Sequence, residues 1–181
     1  NISSWFEPSA QVSGDIWDAR QVGPTKLAIC LVDFSTHGIT AAMNTIRFYT
    51  LVRQRNKLMR DPAKYIEHLN KALCQHLLAH QFATIIYGVL DTTSNFFTYA
   101  AAGSTQPLSI RLDTSLVSIG ERTGIPLGIS EKATYVNRSV PFAPGAALFF
   151  YSDAMTESYL ADDTLIGDGG VIKFLKNVWC I

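Results

Sequence analysis

Cysteine is scarce in this chain, and the three present, Cys30, Cys74 and Cys180, stand far apart with no CxxC pair among them. That spacing excludes a disulfide framework and a thiolate zinc site, and it fits a reducing, cytoplasmic compartment. An excess of either charge is missing too, since 15 Lys and Arg balance 15 Asp and Glu. Such a balance leaves no electrostatic footprint for nucleic acid, and the one basic run, Arg53-Gln54-Arg55-Asn56-Lys57, reads as the solvated end of a helix. No apolar run approaches the roughly 20 residues that span a bilayer, and the first residues form no signal peptide, so no membrane partner is expected for this segment. Repeats, low-complexity tracts and Pro/Gly/Ser-rich linkers are also absent. Gly167-Asp168-Gly169-Gly170 follows no apolar strand and lacks the Lys-Ser/Thr ending of a phosphate loop. The chain has no initiator Met, and residues 1–181 are expected to be one domain excised from a longer regulatory protein.

What is present is core-forming material, 48% hydrophobic against 17% charged, the composition of an ordinary globular domain. An extended segment over 12–18 leads to a turn at Val22-Gly23-Pro24, and 26–34 is apolar enough to be a strand buried on both faces. Cys30 lies within that strand as a small buried apolar residue. Ser35 or Thr36 can cap a helix over 39–54, with Ala42, Ile46, Tyr49 and Val52 at helical spacing. Asp61-Pro62 starts a second helix that runs to about His80, with Tyr65, Ile66, Leu69, Ala72, Leu73, His76 and Leu77 inward. Strands follow over 82–90, 96–102, 108–112, 116–119, 134–141 and 146–152, with turns at Thr93-Ser94-Asn95, Asp113-Thr114 and Ala143-Pro144-Gly145. A last helix over 170–178 carries Val171, Phe174, Leu175 and Val178 on one face. Two long helices followed by a run of strands predict an α+β layered domain with largely antiparallel sheets, not a Rossmann arrangement.

Chemistry concentrates where hydrophobic runs end on aspartate. Asp15 follows Ser13-Gly14, Asp33 stands in Val32-Asp33-Phe34-Ser35-Thr36-His37-Gly38, and Asp153 ends Leu148-Phe149-Phe150-Tyr151-Ser152; Asp162-Asp163 and Asp168 are weaker instances. Each alone is an ordinary cap or turn residue. Several together at the ends of buried strands need compensation, because an ionised carboxylate resists leaving water. A hard divalent cation held by oxygen ligands supplies it, and two such ions can clamp the attacking and leaving oxygens of a displacement. The chain therefore reads as a metal-dependent hydrolase.

These segments resemble, in order and over nearly the whole chain, the SpoIIE/RsbU-type bacterial branch of the protein phosphatase 2C (PPM) superfamily. Ser13-Gly14-Asp15-Ile16-Trp17-Asp18 is similar to Gly-Gly-Asp-Tyr-Tyr-Asp, and the Asp33 segment to Gly-Asp-Val-Ser-Gly-His-Gly followed by an Ala-rich helix, here Thr40-Ala41-Ala42-Met43. Phe82-Ala83-Thr84 and Leu90-Asp91 resemble the central hairpin, and Thr123-Gly124-Ile125-Pro126-Leu127-Gly128 the Thr-Gly-Leu-Pro-Leu-Gly loop. Pro144-Gly145 through Tyr151-Ser152-Asp153-Ala154-Met155-Thr156-Glu157 is similar to the Tyr-Thr-Asp-Gly-Val-Thr-Glu segment.

The resemblance implies a β-sandwich flanked by helices in αββα layers, with two Mn(II) or Mg(II) ions at one edge. Asp15, Asp33 and Asp153 fall on its metal-ligand and catalytic positions, and the Phe34 backbone carbonyl on a further ligand position. Asp168 falls on the fourth acidic position, with Asp162 or Asp163 as alternatives. A metal-activated water then attacks a phosphoserine or phosphothreonine of a regulatory protein, such as an anti-sigma-factor antagonist. A homodimer is left open. His37 reads as a proton donor to the leaving group or as a structural helix-start residue, and Trp17 as a wall of the metal cleft. Trp5 and Trp179 read as core or interface residues. His76 and His80, one helical turn apart, lack a Glu or Cys partner for zinc. Ala101 and Ser104 replace the family's Asn and His, and Ala154 replaces a Gly. These three changes motivate a second reading, a pseudophosphatase that serves as a protein-binding module.

Overall fold

The computed structural model describes residues 1–7, 13–36, 38–54, 57–111, 116–121 and 124–178. Val12, His37, Arg55, Asn56, Leu112, Asp113, Thr114, Thr123, Trp179 and Cys180 lie outside them, and with them the readings placed on those residues. Eight strands form two antiparallel sheets. The larger holds β1 (Ile16–Gly23), β2 (Lys26–Phe34), β3 (Ala83–Asp91), β4 (Phe96–Ala102) and β7 (Arg138–Pro141) in the order β1-β2-β3-β4-β7. The smaller holds β5 (Leu108–Arg111), β6 (Leu116–Ile119) and β8 (Ala146–Phe149) in the order β6-β5-β8. Helices α1 (Gly38–Arg53) and α2 (Pro62–His76) cover the larger sheet, and α4 (Gly167–Val178) packs with the smaller one; α3 (Asp153–Glu157) is one short turn between β8 and α4. This is the expected αββα arrangement.

Strand parity distributes the core among the layers. On β2, Ala28, Cys30, Val32 and Phe34 are buried with Phe48, Tyr65, Ile66 and Leu69 of the helices. Leu27, Ile29 and Leu31 point the other way and meet Ile86, Phe97, Leu148 and Phe150 between the sheets. Gly88 makes that second layer tight, because a Cβ there would meet the Phe97 ring at 2.2 Å. A third cluster, Leu108, Ile110, Tyr151, Val171 and Leu175, joins the smaller sheet to α4.

Several elements differ from the sequence expectation. The buried face of α1 is Ala41, Asn44, Phe48 and Val52, about one residue round the helix from the predicted stripe, while Ile46 is 66% exposed. Phe48 sets the rotation by packing edge-on to Phe34 at 6.0 Å, and Asn44 is tolerated inside because its amide donates to Gln81 Oε1 at 3.2 Å. Asp61 caps α2 as expected, but the helix stops at His76; Leu77 is extended and His80 has a φ of 74°. His76 and His80 therefore share no helix face. The strand predicted over 134–141 shortens to β7 because Asn137 turns back to α2, accepting from Ala63 N and donating to Asp61 Oδ1, each at 2.8 Å. On α4, Phe174 and Val178 are exposed and only Val171 and Leu175 are buried. Trp5 is 89% exposed rather than part of the core.

Candidate metal centre

Backbone register brings the first two aspartates together. β1 pairs with β2 through Ile16 and Val32, so Asp15 and Asp33 stand as the next pair at the ladder's end, on the face that looks between the sheets. Phe34 N donates to Gly14 O at 3.3 Å and closes that end. A Cβ on Gly14 would lie 3.0 Å from the Phe34 carbonyl oxygen, so glycine leaves room around the oxygen expected to be a ligand. Ser13 Oγ accepts from Asp15 N at 3.1 Å, and Thr45 Oγ1 on α1 lies 3.2 Å from Gly14 O. The first turns of α1 are thus tied to the Asp15 loop. On the other side Ser35 N donates to Phe82 O and Phe82 N to Ser35 Oγ, both at 3.0 Å, fixing the exit from β2.

The third aspartate comes from the other sheet. The strand expected over 146–152 ends at Phe149, the Tyr151 carbonyl is held by the Thr105 hydroxyl, and Asp153 opens α3 rather than ending a strand. Asp33 and Asp153 line one cavity of about 240 Å³ with Leu31, Thr84, Ser104 and Glu157. Glu157 lies one helical turn beyond Asp153, so both carboxylates share one face of α3. Sequence reasoning did not assign Glu157 to the site, although its i, i+4 spacing was the available signal. Asp168 lies in the first turn of α4 and accepts from the Tyr151 hydroxyl at 3.3 Å; it reaches the cavity through that tyrosine. Asp162 caps a surface turn by accepting from Thr164 N at 3.1 Å, and neither it nor Asp163 lines the cavity. Trp17 lies in a separate shallow groove with Tyr49 and Phe48, away from the aspartates.

The electrostatics are those of a site built around missing positive charge. Burial, then Asp15, Asp153 and Glu157, push the Asp33 carboxyl up to about 7. Asp15 is raised as well, mainly by burial, with partial relief from hydrogen bonds to Asp33 and Ser13. Asp15 Oδ1 is buried with no hydrogen-bond partner. No Lys or Arg lines the cavity. Among the described residues no three carboxylate, thiol or imidazole groups are gathered tightly enough to form a closed ligand cage, so a cation would draw Asp153 toward the Asp15–Asp33 pair. An orphaned buried oxygen, two raised carboxyls and a carbonyl kept clear by glycine form a hard-oxygen donor set that fits Mg(II) or Mn(II).

The three replaced residues are accommodated. Ala154 is helical with no positive φ, so nothing in its backbone requires glycine. Ser104 is buried and puts a hydroxyl in the cavity lining, and Ala101 is buried opposite Ile86 in the β3–β4 ladder.

Comparison with known proteins gives the relatives. Residues 23–179 match the family described as Stage II sporulation protein E (SpoIIE). The chain is 24% identical over 162 residues to the phosphoserine phosphatase RsbP of Bacillus subtilis, covering 86% of this chain and 40% of that protein. The SiaA-PP2C domain of Pseudomonas aeruginosa superposes with a TM-score of 0.81 at 20% identity, covering 94% of this chain and 68% of that one. RsbX in complex with magnesium has a TM-score of 0.65 at 16% identity, covering 95% and 82%. These structures share the fold. The chain spans less than half the length of the curated relatives it matches, from 29% to 47%.

Proposed function

The chain belongs to the SpoIIE family of PPM-type phosphatase domains, and on that premise we propose that it is a metal-dependent protein phosphatase. Its substrate is a phosphoserine or phosphothreonine on a regulatory partner protein, with an anti-sigma-factor antagonist as the kind of partner the family resemblance implies. One observation carries the reading: Asp15 stands beside Asp33 at the end of the β1–β2 ladder, and Asp33 and Asp153 line one cavity with no Lys or Arg in its wall. A phosphoserine brings nearly two further negative charges at pH 7. Only bound cations can make such a cavity accept it.

Asp15, Asp33, Asp153 and the Phe34 carbonyl would hold two Mg(II) or Mn(II) ions; RsbX, which shares the fold, is a protein solved in complex with magnesium. When bound, the ions acidify a water into a nucleophile and offset charge on the phosphoryl oxygens. The chain's own contributions are positional. The Gly14–Phe34 and Ser35–Phe82 bonds fix the Asp15 and Asp33 loops, and the Thr105 bond to Tyr151 O fixes the approach to Asp153. Asp168, as the fourth acidic group, works through the Tyr151 hydroxyl. Among the described residues no helix is long and apolar enough to cross a membrane. The binding-module reading loses its motive at Ala154, whose conformation needs no glycine.

The test is manganese-dependent phosphate release from a generic aryl phosphate by wild type and Asp33→Ala. Release by wild type that disappears in the variant supports the enzyme. Release by neither, with partner binding retained, establishes the binding module instead.

A further inference from the structure

The cavity is small. About 240 Å³ holds a phosphorylated side chain but little else, so the residues flanking it in a protein substrate must be read outside, on the rim. Building on the phosphatase reading, we propose that residues 158–166 form the docking surface for the phosphorylated partner. This hairpin selects a segment that carries basic and apolar residues beside its phosphorylated side chain.

The hairpin starts at the rim. Glu157 lines the cavity, and Ser158 follows it, its hydroxyl donating to Ala154 O at 2.6 Å. The chain runs out, reverses and returns to α4, held by Ile166 N to Ser158 O at 2.9 Å, Leu160 N to Thr164 O at 2.8 Å and a Tyr159–Leu165 bridge. Asp162 closes the turn by accepting from the Thr164 backbone and hydroxyl, and Asp163 takes the left-handed conformation with φ 59°. So short a loop, tied at both ends, is ordered before a partner arrives, which lowers the entropic cost of docking.

Its side chains face outward. Tyr159 is 69% exposed, Leu160 52% and Leu165 54%, and none joins a core cluster. Three large apolar residues on a preformed hairpin form a surface of the kind that anchors a partner, with tyrosine the strongest contributor. Along this segment the charge is of one sign. From Ser152 to Ile172 the chain holds Asp153, Glu157, Asp162, Asp163 and Asp168 but no Lys or Arg. The bonds from Thr164 hold the Asp162 carboxyl below its usual value, so it remains ionised at neutral pH. An acidic, apolar rim selects basic and apolar neighbours and repels an acidic segment.

Asp162→Asn plus Asp163→Asn tests the charge, because asparagine can keep both the turn bond and the left-handed backbone. Tyr159→Ser tests the apolar anchor. Two phosphoserine peptides, one flanked by Arg and Leu and one by Glu and Ser, are compared with p-nitrophenyl phosphate in manganese. The expected result is a roughly tenfold preference of wild type for the basic peptide, carried by KM. The double Asn variant should lose that preference, and Tyr159→Ser should raise KM for both peptides. Turnover of p-nitrophenyl phosphate should be unchanged in all. Unchanged peptide kinetics with intact p-nitrophenyl phosphate turnover overturn the docking surface and leave the phosphatase reading standing. If wild type hydrolyses nothing, the phosphatase reading fails, and fluorescence anisotropy of the same peptides decides docking alone: binding lost in the variants supports it, equal binding overturns it. A concentration-dependent dimer in sedimentation that Tyr159→Ser abolishes would give this face to a second copy and overturn the proposal.

Discussion

Asp33→Asn should stabilise the metal-free protein while removing its response to metal. In the folded chain the Asp33 carboxyl is raised from 3.8 to about 7 by burial and by Asp15, Asp153 and Glu157. Between about pH 4 and 7 the folded state therefore holds a proton that the unfolded state has released. This contribution favours folding at low pH and is lost as pH rises through 7. The full rise corresponds to a ceiling of about 4 kcal/mol. Because Asp33 is only about half buried and its neighbours are screened, about 1–2 kcal/mol is the realistic penalty at pH 8. For a domain of this size that is about 3–6 °C in Tm. In chelator, the variant should melt with wild type near pH 4, pull ahead of it as pH rises toward 7, and stand several degrees above it at pH 8. With manganese at about 100 times its Kd, wild type gains about 2.7 kcal/mol by mass action and the variant almost nothing, so the order inverts. Thermal melts at two pH values, with chelator and with manganese, measure all of this. A variant that melts below wild type in chelator at pH 8, or one that manganese stabilises as much as wild type, refutes the reasoning.

The same proton makes manganese affinity, read by titration calorimetry, fall as pH drops below 7, with about 0.8 proton released from Asp33 as the site fills at pH 6.5. Gly14→Ala puts a Cβ 3.0 Å from the Phe34 carbonyl oxygen and should lower manganese affinity about tenfold, with a loss of about 1 kcal/mol in a chelator melt. Thr45→Val cuts the tie between α1 and the Asp15 loop, so manganese affinity should drop several-fold while the chelator melt moves by less than about 1 kcal/mol. Phe48→Ala should destabilise the fold by about 3–5 kcal/mol, whereas Ile46→Ala should stay within about 0.5 kcal/mol in a denaturant series.

Legibility in the sequence followed the range of the interactions involved. The α2 start was readable because Asp61-Pro62 carries its own capping chemistry, and the bounds of β4 and β6 because turn residues flank them. The face of α1 was not. Ala42, Ile46, Tyr49 and Val52 suit an inward stripe, but the rotation was settled by Phe34 in the preceding strand and by the side-chain amide of Gln81, 37 residues from Asn44. The start of β7 failed for the same reason, since Asn137 bridges to Asp61 across 76 residues. The three aspartates could be found because each punctuates an apolar run. That Asp153 opens a helix, bringing Glu157 onto the same face, depended on the smaller sheet releasing the chain at Phe149.

The site's position between two sheets explains why its groups are strained when apart from a cation. Asp15 and Asp33 belong to the larger sheet, while Asp153 and Glu157 follow the last strand of the smaller one. Asp15, Asp153 and Glu157 all disfavour the ionised form of Asp33, while the apolar layer of Leu31, Ile86, Phe97, Leu148 and Phe150 holds the sheets together. That layer stays closed because it is large and apolar, and burial, reinforced by the neighbouring carboxylates, instead holds the Asp33 and Asp15 carboxyls above their ordinary range and leaves Asp15 Oδ1 without a partner. A divalent cation reverses the sign of the interaction across the gap and makes the two sheet ends attract. Binding metal and fixing Asp153 against the Asp15–Asp33 pair are thus one event. The loop of Asp15 is in turn tied to α1 through Thr45, so a displacement of that helix acts on the same balance from the outer face of the larger sheet.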